Sequence, residues 1–145
     1  MLKKMTTVIT LVLGISLGVS AQTSDTSGDQ NPEPGHSATV CTVQNPQICA
    51  HLGHMSTINT KEEGQFVAHI MTPNNVEMSN VHIDLWMASM GHGSAPLDVT
   101  RVDVNKYQVK NAWFMMSGPW LVRLKFKDSV QSYEIDIPLE VPSMF

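Results

Sequence analysis

The chain predicts an antiparallel β-sandwich of immunoglobulin-like type for residues 65–145, and three observations predict it. Apolar and polar residues alternate with period two in segment after segment from Gln65 onward, as in strands with one buried face. No amphipathic stretch of helical period and useful length interrupts them. Asn105-Lys106 offers a tight turn between two of the runs.

Taken in order, Phe66, Ala68 and Ile70 alternate with Val67, His69 and Met71 in the first of these strands. Val81, Ile83, Leu85 and Met87 then form one face, opposite His82, Asp84 and Trp86. Leu97 to Trp113 reads as two strands folding back at Asn105-Lys106. Trp120, Val122, Leu124 and Phe126 define the inward face of the next, with Trp120 expected to fill the sandwich centre. Tyr133, Ile135, Ile137, Leu139 and Val141 define the last, and Pro138 on its outward side predicts an edge strand. The Cys…Trp…Cys signature of antibody domains is absent. Residues 38–64 form a lead-in segment containing Cys and His, in which Pro46 to Met55 is read as a short helix ended near Gly53.

Two segments precede it. Residues 1–21 carry a basic start, a short apolar run from Thr6 to Val19 and small residues Ser20-Ala21, which reads as a signal peptide cleaved after Ala21. The run is short for a membrane span, so export to the periplasm is expected, with an uncleaved N-terminal anchor as the alternative. Residues 22–37 hold no aliphatic or aromatic side chain and are read as a disordered tether, with His36 solvated at its end.

The whole chain has 145 residues and a net charge of −4, with ten Met, six His and two Cys. The acidic balance, without a Lys/Arg block, excludes nucleic acid as the expected partner. Cleavage would remove Met1 and Met5, yet all six His and both Cys lie downstream. The sulfur and imidazole enrichment therefore belongs to the exported part.

Strand order locates these residues. With 81–87 rising, the loop carrying Met90 and His92 lies at the top, and the same alternation brings the loop with Met115 and Met116 there. Backward extension brings the segment with His51, His54 and Met55 toward the same pole, and sends His69, Met71 and His82 to the other. Thioethers with imidazoles suit Cu(I), whereas carboxylate-rich sites suit harder metals. Met90-Gly91-His92 sets two donors on a Gly-rich loop, where glycine lets the backbone bend tightly. Met115 and Met116 would add sulfur, although one of the two is expected to pack inward, because neighbours on an extended segment face opposite ways.

The stretch from Val81 to Val141 resembles the YtkA-like domain family, related to FixH. The resemblance rests on Leu85-Trp86-Met87-Ala88-Ser89-Met90-Gly91-His92-Gly93, on Tyr107, and on Met116-Ser117-Gly118-Pro119-Trp120. Ala88-Ser89 stands where the family's first loop usually has Pro. The resemblance implies a small exported or membrane-anchored β-sandwich associated with copper handling or with assembly of copper-containing oxidases. It implies Met90 and His92 as the family's Met-Gly-His loop, and Met116, Gly118, Pro119 and Trp120 as its Met-x-Gly-Pro-Trp turn.

Cys41 and Cys49 lie outside the resemblance. Export favours a disulfide between them. The other reading takes Cys49, His51, His54 and Met55 as ligands for copper or zinc. Their C-x7-C spacing is not that of a C-x-x-C redox pair. No nucleophile elbow, defined carboxylate pair or phosphate-binding Gly loop is present, so no enzyme is expected. Two functions follow as expectations. One is Cu(I) binding at the Met/His pole for delivery, storage or resistance, in exchange with a copper-donating or copper-accepting exported or membrane protein. The alternative is a metal-free interaction module whose Met-rich surface binds a partner protein.

Overall fold

A computed structural model describes residues 36–143. The expected signal peptide, residues 22–35 of the expected tether, and residues 144–145 lie outside the described residues. The alternating runs form the strands they predict, and two antiparallel sheets pack face to face as a β-sandwich. In chain order the strands are β1 (Val40–Cys41), β2 (Cys49–Gly53), β3 (Gly64–Met71), β4 (Ser79–Met87), β5 (His92–Gly93), β6 (Asp98–Asp103), β7 (Lys106–Ala112), β8 (Gly118–Lys127) and β9 (Ser132–Val141). One sheet has the order β1-β2-β3-β7-β6 and the other β5-β4-β8-β9.

The inward halves of the alternating runs meet in one core. Phe66, Ala68, Ile70 and Val109 of the first sheet pack with Ile83, Leu85, Trp120, Val122 and Ile137 of the second, all buried. Trp120 sits at the centre as expected, with Phe114 edge-on to it at 5.5 Å between ring centroids. Pro138 stands exposed on β9, an edge strand, where its missing N–H breaks no ladder.

Residues 46–55 correct the expected helix. They turn at Pro46-Gln47 and then run as strand β2, with Ala50 and Leu52 buried and His51 facing outward. A strand wins because β2 gains a full antiparallel ladder against β3, from Cys49↔Met71 to Gly53↔Val67. An isolated helix of about three turns would gain no such neighbour. Cys41 and Cys49 are cross-strand partners in β1 and β2 and form a disulfide. Cys49 is therefore not a free thiolate ligand.

The tether also ends earlier than its composition predicts. Ser37 docks on β2: its N–H donates to the Leu52 carbonyl at 2.9 Å, and its hydroxyl accepts from the Leu52 N–H at 2.8 Å.

Candidate functional site

The first cluster of predicted site residues lies at one end of the β5-β4-β8-β9 sheet. Strand β4 ends at Met87, whose carbonyl accepts from the N–H groups of Met90 and Gly91 at 3.1 and 3.0 Å. The chain then returns as β5, with Met87 opposite His92. Gly91 takes a φ of +66°, a conformation open to glycine at little cost, so the hairpin turns and leaves Met90 at its tip. On the other side of β4, β8 begins at Gly118, and Trp86 pairs with Leu121. The segment 113–117 therefore enters at the same end as the 88–91 turn.

Met90, Met115 and Met116 are 53%, 74% and 40% exposed. The expectation that Met115 or Met116 packs inward is thus corrected. Residues 113–117 have left the sheet, and Phe114, 1% exposed, fills the inward place beside Trp120. The Trp120 indole N–H donates to the Met116 carbonyl at 2.9 Å and anchors the loop. Met87, buried at 3%, is a core residue, as its place on the inward face predicts. His92 is exposed, and its Nδ1 lies 3.1 Å from the Gly93 carbonyl. Strands lie about 4.8 Å apart, so β5 and β8, with β4 between them, are separated by about 10 Å. Unbranched thioethers with three rotatable bonds can reach into a gap of that width.

Of His51, His54 and Met55, His51 does not join this end. His51 pairs with His69 across β2 and β3, and His69 pairs with Lys106 beside the 104–105 turn, at the end of the sheet away from Met90. The strand order misplaces His51 because residues 49–53 run along β3 as a strand, whereas Met55 adjoins Ser56, whose N–H donates to the Gln65 carbonyl near the Gly64↔Ala112 pair that leads into 113–117. Met55 packs against the core, so its thioether serves packing.

These histidines form a second cluster, which also takes in two residues the sequence did not nominate. His51 and His69 face outward from the five-stranded sheet, their ring centroids 5.2 Å apart. His36 lies 6.2 Å from His51 and 6.0 Å from His54 by the same measure. His36 approaches because Gly53 has no side chain: a Cβ there would stand 3.0 Å from His36 Cε1. His54 holds a φ of +50°, a left-handed conformation uncommon outside glycine. His36 is not simply solvated. The outward phase of His51 and His69 in consecutive alternating runs was the available signal, once β2 is recognised as a strand.

Burial lowers the His51 pKa below the ordinary histidine value, helped by His36 and Lys106. Burial likewise lowers that of His69, with His51 and Lys106 adding and Asp103 opposing. Both favour neutral imidazole, the ligating form. Among the described residues, no three His, Cys, Asp or Glu side chains already hold a ligating arrangement.

A cavity of about 580 Å³ that belongs to neither cluster lies between the outer face of β4 and the segment 93–97. Its polar groups already have partners: His82 lies 2.9 Å from Asp84, and Arg123 is paired with Asp136 at 2.8 Å. No protein-family model, curated protein or solved structure matches this chain.

Proposed function

We propose that this chain is an exported copper-binding protein that holds Cu(I) at the 88–92 and 113–117 end of the sandwich. Met90, His92, Met115 and Met116 are the donors in this reading, and the chain is of the YtkA-like kind. One observation carries it: three solvent-exposed thioethers share an end with His92, where no core requires them. Soft sulfur with imidazole selects Cu(I) over harder ions. Donors on exposed turns exchange readily, which suits passing copper to or from a second exported or membrane protein.

The test is a Cu(I) titration against a competing chelator, repeated with Met90→Ala and His92→Ala. Wild type is expected to compete, and each variant to lose roughly tenfold or more in affinity. A wild type that leaves all Cu(I) on the chelator, or two variants that bind like wild type, would overturn the reading. The first outcome would leave the exposed thioethers as a metal-free docking surface, adaptable in the way Met side chains allow.

A further inference from the structure

We propose that His36, His51, His54 and His69 form a second metal site, built of imidazole alone, for one divalent ion of the zinc(II) and copper(II) class. It lies on the outer face of the five-stranded sheet, apart from the thioether end, and does not depend on the Cu(I) reading.

The four rings surround a small cavity of about 130 Å³ that Gly53 and Lys106 also line. Metal–nitrogen bonds of about 2.0–2.1 Å place two rings on one tetrahedral ion with centroids about 5 Å apart. His51 and His69 already stand at 5.2 Å. They are half-buried and fixed by facing strand positions, so this pair is preorganised. His36 and His54 are exposed and flank the ladder; His36 stands 6.2 Å from His51 and 6.0 Å from His54, gaps that side-chain movement of about 1 Å closes.

The fold makes a specific provision for the third and fourth rings. Ser37 ties His36 down through two hydrogen bonds to Leu52, and the bare Cα of Gly53 admits the ring. His54 is held in a left-handed conformation that costs of order 1 kcal/mol or more and that persists only where surroundings impose it. Packing explains none of this, since all four side chains lie outside the core. The donor set decides the ion: imidazole suits zinc(II) and copper(II), whereas calcium and magnesium need oxygen ligands, and no carboxylate lines this cavity.

Lys106 gives the proposal a sign that can be tested. Its side chain lines the cavity, and its ammonium, 4.0 Å from Asp103, is only loosely neutralised. It repels a bound cation and would attract a bound anion.

Calorimetric titration of the chain with zinc sulfate, and separately with copper(II) sulfate, is expected to show one ion per chain. His51→Ala and His69→Ala should each weaken binding by roughly tenfold or more. Gly53→Val, which displaces His36 without removing a ligand, should also weaken it. Lys106→Gln should tighten it, and Met90→Ala with His92→Ala should leave it unchanged. Copper(II) electron paramagnetic resonance on the wild type should resolve coupling to at least three imidazole nitrogens, a readout that stands even where a variant fails to fold. No uptake by wild type, unchanged binding in His51→Ala and His69→Ala, weaker binding in Lys106→Gln, or fewer than three coupled nitrogens would each overturn the proposal.

Discussion

Asn105 carries more of this fold than its place in a two-residue turn suggests. It is fully buried with a φ of +56°. Its side-chain oxygen accepts from the Met78 N–H at 2.8 Å, and its side-chain nitrogen donates to the Val76 carbonyl at 2.8 Å. Its own carbonyl accepts from the Ile70 N–H at 2.9 Å. One residue thus closes the β6–β7 turn and pins the long β3–β4 connection beneath it. Asn105→Ala would strand the buried Met78 N–H, remove one of the two donors to the Val76 carbonyl (the Thr72 hydroxyl remains, at 2.8 Å), and force alanine into the left-handed region. A loss of about 2–4 kcal/mol is expected in urea denaturation. Asn105→Gly would relieve only the backbone part, so it should fall between alanine and wild type. The turn itself was legible in the sequence because Asn tolerates this conformation. Its reach to residues 76 and 78 was not, because those partners lie more than 25 positions away.

Among the elements, the β1–β2 hairpin is where local sequence and tertiary structure part company. Cys-Ala-His-Leu-Gly-His spaces its polar residues in a way that fits either a helical face or a strand, and a short run does not decide between them. The β3 edge decides, by supplying partners for the backbone of β2. The Cys41–Cys49 disulfide then closes a short loop across the pair. In the chain-entropy account such a loop contributes roughly 2.5 kcal/mol. Replacing both cysteines by serine should lower the unfolding free energy by up to that amount, read as a lowered midpoint in thermal melts. Reduction of the wild type should reproduce the shift, and reductant should not move the double variant. Strands β3, β4, β8 and β9 were legible because each repeats its alternation over eight to ten residues, and their burial patterns follow it, whereas β6 is exposed throughout.

At the scale of the whole molecule, Trp120 joins the core to the thioether end. Its ring is 1% exposed at the centre of the sandwich, and its indole N–H reaches the Met116 carbonyl. Trp120→Phe keeps an aromatic ring but removes that bond and leaves unfilled volume. It should cost about 2 kcal/mol in stability. It should also weaken Cu(I) binding while leaving zinc(II) uptake intact, because the histidine cluster rests on the other sheet. Parallel chelator competition and calorimetry on the same variant measure both effects. Equal losses at both sites would indicate a general loosening of the sandwich rather than release of the 113–117 loop.

The sequence by itself determined the sandwich, the order of its six longer strands, the core centred on Trp120 and the outward phase of His69 and His82. Those features follow chiefly from the alternation that β3, β4, β8 and β9 carry within their own few residues. It also located Met90, His92, Met115 and Met116 at one end, because strand direction reverses predictably in an antiparallel fold. Only the tertiary structure decided that His36 meets His51 and His54, that His51 stands beside His69, and that Phe114 rather than a methionine fills the inward place. Register between β2 and β3 and the docking of Ser37 make the histidine contacts, and packing against Trp120 selects Phe114. Those are long-range interactions, so no local pattern at any one of these residues encodes them.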